Sequence, residues 1–334
     1  MSSSVVVTKQ QPEPAAAQEW STQRKHLVKV ALWLAMVTAT LLLAGFLLEH
    51  ATSRFDFSEP KLTESLQFSK TQLDVAFFGD SLTLEGVNPD VIDQRLHTRS
   101  YNFALGGASI MESEMQLRNF LRHNPKPRMV GLGIYLNIPN KPPGARATLY
   151  FGLPGDLKAQ YRDELLQYEG IKIDRSFITF NLVPAYRYRN VIDLVLKSLL
   201  SKDNQRPTFV KGQAQVTFFR EPYLGRAHES VFKTDELESF IRFCEEEQIP
   251  LLLFEPPNHP GYSELTSNRA ALLNALSHLL ARHPGVRFIS YNNSTFTLAR
   301  KDWVNLNHLN AAGSAKFSAV LSDTVSQGIA GGHR

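Results

Sequence analysis

Cysteine is almost absent: the 334-residue chain has only Cys244, so no disulfide can form within it. That residue falls at helical spacing with Leu237, Phe240 and Ile241, which reads as core rather than as a nucleophile. No sign of charge dominates. Thirty-six Lys and Arg against 32 Asp and Glu leave a net +4, with no basic stripe interleaved with aromatics, which excludes a nucleic-acid partner. No internal repeat is present, so solenoids and propellers are excluded. With 43% hydrophobic residues the chain does not have the composition of a disordered one.

One absence is local. From Val30 to Leu48 there are 19 residues without a charge. As a helix this run spans roughly 28 Å, about the hydrocarbon thickness of a bilayer. Arg24, Lys25 and Lys29 precede it, the run is longer than the roughly 7–15 residues of a signal-peptide core, and Glu49-His50 follows with no cysteine for lipidation. The pattern fits an uncleaved anchor rather than a removed signal peptide. The basic flank predicts a cytoplasmic N-terminus and a chain that faces outward from residue 49. The expected division is a disordered cytoplasmic tail over 1–26, a membrane anchor over 27–48 contacting lipid through 28–48, a polar stalk over 49–72, and an α/β domain over 73–330.

Within that domain, short apolar runs alternate with amphipathic ones. Strands are expected at 74–78, 100–105, 128–135, 250–257 and 286–291, and helices at about 88–96, 112–123, 235–248, 267–282 and 311–326. Such alternation predicts a parallel sheet with right-handed crossovers and helices on both faces. Residues 138–231 break the rhythm with Pro139, Pro142, Pro143 and Pro154. They form an expected insertion, a lid or partner surface, with one helix at about 183–200.

The stretch with most chemical content is Asp74-Val-Ala-Phe-Phe-Gly-Asp-Ser-Leu-Thr83. It reads as a buried strand ending in a tight turn that presents Ser81 at the carboxyl edge of the sheet, where ligands bind in open α/β folds. Far along the chain, Asn307-His308-Leu-Asn-Ala-Ala-Gly313 puts a histidine in a loop before the last helix, on that same edge. Histidine is the usual base for a serine nucleophile, because its pKa lies near working pH. Asn102-Phe-Ala-Leu-Gly106-Gly107 ends the second strand with glycines whose backbone N–H groups can face an oxyanion, and Asn137 follows the third strand. Glu255-Pro-Pro-Asn-His259-Pro ends the fourth strand on the same edge, where it can shape an acceptor site.

Gly-Asp-Ser after the first strand, Asn-x-x-x-x-Gly after the second and His-Leu-Asn-x-x-Gly before the last helix resemble the SGNH, or GDSL-type, hydrolase family, over about residues 74–327. The resemblance implies a three-layer flavodoxin-like fold, Ser81 as nucleophile and His308 as base. It also implies an oxyanion site made by the backbone N–H groups of Ser81 and Gly107 and by the Asn137 side chain, with no cofactor and no metal. The family carries Asp three residues before the histidine, and this chain has Asn305 there; Asp302 lies six before. Family position favours Asn305, whereas charge favours Asp302, and a general base gains most from a buried anion beside it. The family's third-strand Gly-x-Asn-Asp pattern is absent.

The anchor and the insertion are similar to those of membrane-tethered members that move acyl groups on envelope polysaccharides. That likeness implies an O-acyltransferase or deacetylating esterase on the inner membrane, with its catalytic domain periplasmic or extracellular. The implied partners are an acylated glycan or acyl donor and a multi-pass membrane O-acyltransferase. Two other readings stay open: a catalytically weak glycan-binding or scaffold subunit, suggested by Asn305, and a lipase or thioesterase.

Overall fold

The computed structural model describes residues 14–55, 72–136, 229–259, 265–292 and 296–331. Most of the insertion, its expected helix at 183–200 and Asn137 lie outside them.

Helix α1 runs from Pro14 to Phe55. It is longer than the expected anchor at both ends. The expected tail gives way to helix from residue 14 and the expected stalk to helix as far as 55. Proline suits a first helical turn and Ala15-Ala-Ala-Gln-Glu19 are strong helix formers, so propensity alone extends the element beyond its apolar stretch. Gln23–Leu47 is long and apolar enough to cross a membrane, with mean hydropathy 2.2. Its large apolar side chains, Leu32, Trp33, Leu34 and Phe46 among them, are exposed all round.

The second unit contains a five-stranded parallel sheet of order β2-β1-β3-β4-β5. The strands are β1 (Val75–Phe78), β2 (Ser100–Asn102), β3 (Met129–Gly133), β4 (Leu251–Glu255) and β5 (Arg287–Ser290). That order is the flavodoxin-like one, with its switch point at β1 and β3. Register is set by pairs such as Phe77 with Gly131 and Gly133 with Phe254. The helices are α2 (Ser81–Gly86), α3 (Pro89–Leu96), α4 (Ile110–His123), α5 (Thr234–Glu246), α6 (Arg269–Ala281) and α7 (Ala311–Gly331).

Alternation along each strand divides the core in two. Val75 and Phe77 join Phe254, Phe317 and Leu321 on the side of α3 and α7. Ala76 and Phe78 join Phe120, Leu237, Phe240 and Leu276 on the side of α4, α5 and α6. The result is three layers, helix on sheet on helix. Cys244 is buried in the second cluster, as expected, and burial pushes its thiol pKa far up, so it is inert as a nucleophile.

Capping explains where several helices begin. Asn88 caps α3 ahead of Pro89 by accepting from the Asp90 N–H. Ser109 and Glu112 form a reciprocal capping box at α4. The strand expected over 100–105 is regular over Ser100–Asn102, and Phe103 and Leu105 still donate to the Phe77 and Gly79 carbonyls. The Asn102 side chain bonds the turns on either side. Oδ1 accepts the Ala104 N–H, while Nδ2 donates to the carbonyls of Thr83 and Val87, both at 2.9 Å. Asn102 thereby fastens the end of β2 to α2.

The β1–α2 turn fits against β3 with no room for side chains. Gly79 has φ +142°, and a Cβ there would overlap Thr83 and the Gly133 carbonyl. A Cβ on Gly133 would overlap the same threonine hydroxyl. Gly79→Ala is therefore expected to destabilise the domain by about 2–4 kcal/mol through combined backbone strain and overpacking. Denaturant unfolding checks this, and wild-type stability would show that the turn relaxes freely.

Candidate active site

Ser81 is the first residue of α2 rather than the tip of a free turn. Asp80 is its N-cap, with the side-chain oxygen 3.0 Å from the Leu82 N–H. The expectation of a tight turn misses this helix because six residues show no periodicity to read. The capped start fixes the Ser81 backbone and directs its side chain out over the sheet edge. Across that edge stands the loop joining the 3-10 turn Arg300–Asp302 to α7. The loop is closed by an antiparallel bridge between Trp303 and Leu309 and by the Val304 N–H donating to the His308 carbonyl at 2.8 Å. It brings His308 Nε2 to 2.9 Å from Ser81 Oγ, across 227 positions of sequence.

The other imidazole nitrogen, Nδ1, lies 3.0 Å from Asn305 Oδ1. An amide's oxygen and nitrogen are distinguished by their neighbours. Here the atom facing Nδ1 also receives the backbone N–H of Asn307 at 3.0 Å and of His308 at 2.9 Å. Only an oxygen accepts those, so Nδ1 must carry a proton. In the neutral ring Nε2 is then the lone-pair nitrogen, oriented to accept the Ser81 O–H. Burial holds the His308 pKa below its ordinary value. The ring is therefore unprotonated at neutral pH, as a general base requires.

Asp302 does not reach the imidazole, which corrects the preference that charge suggested. Its carboxylate is buried and binds Lys316 Nζ of α7 through both oxygens at 2.8 Å, while one oxygen also accepts the Ala299 N–H. Its carbonyl accepts the Asn310 N–H at 3.0 Å, and Asn310 in turn caps α7 by accepting from Ala312 and Gly313. A Cβ on Gly313 would overlap the Asp302 carbonyl, so the glycine of the His-Leu-Asn-x-x-Gly motif is required by this close approach. Asp302 thus anchors the start of the loop, and Asn305 at its tip contacts His308. Lys316 carried no signal in the sequence, because it lies 14 positions from Asp302 on another element.

Gly107 sits in the turn after β2 with φ +71°, a left-handed conformation that favours glycine. Its neighbour Gly106 faces Ser81, since a Cβ there would stand 4.0 Å from Ser81 Cβ. No hydrogen bond among the described residues engages the backbone N–H of Ser81 or Gly107. Asn137, the third expected oxyanion donor, lies outside the described residues. Asn307 Nδ2 is 3.4 Å from the Tyr135 hydroxyl, which links the histidine loop to the chain leaving β3. Glu85 is four residues beyond Ser81 on α2; burial, and then Asp80, raise its carboxyl pKa. Glu255 is fully buried in a bidentate pair with Arg269, 2.7 Å on each arm, and also accepts from Ser290, so it offers no free carboxylate to the edge.

No family model and no curated protein matches the sequence. Among solved structures, the chain is similar to a GDSL-like lipase from Bacteroides thetaiotaomicron, at 9% identity and TM-score 0.41, covering 82% of this chain and 98% of that one. It is also similar to a family two carbohydrate esterase from Clostridium thermocellum, at 9% identity and TM-score 0.32, covering 78% of this chain and 65% of that one. At these identities and scores the likeness says nothing of activity.

The geometry dictates a pH dependence. With the His308 pKa lowered by burial, the acid limb of any reaction based on Nε2 is expected below about pH 6.5, the ordinary histidine value. Asn305→Asp places an anion at Nδ1, favours imidazolium and moves that limb to higher pH. It is also expected to raise the plateau of kcat/KM by about 10- to 100-fold, since only charge and not tautomer is at stake. Asp302→Asn should leave the limb in place and lower stability by about 1–3 kcal/mol. Profiles of kcat/KM against pH for the three proteins, with their unfolding midpoints, check both statements.

Proposed function

We propose that this chain is a membrane-anchored serine acyl-transfer enzyme, an O-acyltransferase or a deacetylating esterase acting on an envelope polysaccharide. The observation that carries the reading is the 2.9 Å approach of Ser81 Oγ to a lone-pair nitrogen whose tautomer Asn305 holds. Ser81 Oγ attacks the ester carbonyl and its proton passes to His308 Nε2. The resulting oxyanion faces the N–H groups of Ser81 and Gly107. Collapse returns the proton to the leaving alcohol and leaves an acyl-Ser81. Water or a sugar hydroxyl then attacks, Nε2 takes its proton, and the second collapse passes that proton to Ser81 Oγ as the acyl product departs. The choice between water and sugar decides between esterase and transferase.

The charge developing on His308 meets an amide dipole instead of a carboxylate. That favours a slow enzyme and also supports a second reading, a glycan-binding or scaffold subunit that kept the fold and lost the triad acid. Incubation with p-nitrophenyl acetate separates the two. Intact-mass spectrometry is expected to show acetyl-Ser81, and Ser81→Ala to lose turnover by about three orders of magnitude or more with an unchanged unfolding midpoint. Absence of the adduct in both the wild type and Asn305→Asp would favour the scaffold.

The apolar run behind Arg24, Lys25 and Lys29 supports single-pass insertion with the N-terminus cytoplasmic and residues 72–331 outside. There the acyl-enzyme would meet an envelope glycan and could receive acyl groups through a multi-pass membrane O-acyltransferase. A C-terminal alkaline phosphatase fusion, which folds only outside the cytoplasm, is expected to be active; activity confined to a cytoplasmic reporter would overturn this orientation.

A further inference from the structure

Beyond the catalytic groups, the carboxyl edge of the sheet carries a cluster of side-chain amides that no described residue satisfies. Asn258, in the loop after β4, is only 6% exposed, yet neither Oδ1 nor Nδ2 has a hydrogen-bond partner among the described residues. Beside it, Asn292 follows β5. Its Oδ1 accepts the Asn258 backbone N–H, which fixes the amide's orientation, and its Nδ2 is buried and likewise partnerless among the described residues. Leaving one such group buried and unpaired is costly, so three in one place need an explanation.

The cluster is tied to the reaction centre. The next residue, His259, donates its backbone N–H to the Leu306 carbonyl at 2.9 Å, inside the loop that holds Asn305 and His308. The two amides are themselves uncharged. Glu255 at the end of β4 is neutralised by its two-armed pair with Arg269, and the two asparagines leave over one amide oxygen and two amide NH2 groups. Adjacent sugar hydroxyls present that complement, since each both donates and accepts. Neither asparagine supplies a cation for a carboxylate-bearing or phosphorylated ligand.

We propose that Asn258 and Asn292 form the hydroxyl-binding part of an acceptor subsite for a neutral polyhydroxylated ligand, a stretch of uncharged saccharide. This rests on the acyl-transfer reading and names the substrate class for it. Asn258 spans two neighbouring hydroxyls through its oxygen and NH2, and Asn292 Nδ2 donates to one of them. The saccharide is thereby held at the loop that carries the base.

The test uses the full chain in detergent micelles, carrying Ser81→Ala to block turnover, with cellopentaose, xylopentaose and mannopentaose as probes in titration calorimetry. At least one is expected to bind, and Asn258→Leu on that background to weaken it about tenfold or more. The unfolding midpoint should stay level or rise, because an apolar group of similar volume replaces a partnerless buried amide. If Asn258→Leu does not fold, Asn258→Asp, which keeps the shape and removes the donor, is expected to weaken binding by a similar factor. The proposal is overturned if none of the three saccharides binds, or if affinity in the folded variant stays within twofold. The acyl-transfer reading fails separately: Asn258-dependent saccharide binding in a chain that never forms acetyl-Ser81 would keep the subsite and discard the chemistry.

Discussion

Three donors converge on one amide oxygen, Asn305 Oδ1: two backbone N–H groups of its own loop and the Nδ1–H of His308. The two backbone bonds decide which end of the amide faces the ring. That decides which ring nitrogen holds the proton, and so whether Ser81 meets a lone pair or another N–H. In a serine triad an Asp→Asn change is severe chiefly because the amide can present its NH2 and select the wrong tautomer, a loss of about four orders of magnitude. Here the loop backbone removes that hazard. What is missing is only the negative charge, and burial of the imidazole makes its absence felt mainly when His308 must hold a proton.

That arrangement depends on how the loop is held. Asp302 and Lys316 tie its base to α7, the Trp303–Leu309 bridge closes it, and the His259 N–H grips it from the β4 loop. On the opposite side, Gly79 and Gly133 let α2 start close against β3, so the Ser81 backbone has little freedom. Two unrelated devices, an ion pair at a helix start and a glycine-lined contact between turn and strand, thus converge on a single 2.9 Å distance.

The layered fold was legible because its signal is local. Val75–Phe78 and Leu251–Glu255 are short apolar runs, and α4 through α7 show their periodicity or their caps in the sequence. Ser81 and His308 could be paired because a parallel sheet brings every strand-to-helix loop to one edge. The choice between Asp302 and Asn305 was not legible. Charge is a property of a residue, whereas reach is a property of the loop, and nothing local announces that Lys316 will take the carboxylate. The unsatisfied amides of Asn258 and Asn292 were hidden for a related reason, since an asparagine in a loop is ordinary until its burial is known. Helix α1 runs past the apolar stretch that was legible, because polar residues with high helix propensity continue a helix.

The third member of the site is an amide, and side-chain amides age. Direct hydrolysis of the Asn305 side-chain amide by water would release ammonia and leave a carboxylate of nearly the same shape against His308 Nδ1, with the same two backbone donors to hold it, whereas the cyclic-imide route to isoaspartate would reroute the loop backbone. Storage would then act on this protein as a slow, untemplated substitution, and an old preparation would hold a mixture of neutral and anionic sites. Sample history thereby becomes a chemical variable here, one that a carboxylate at this position would not introduce.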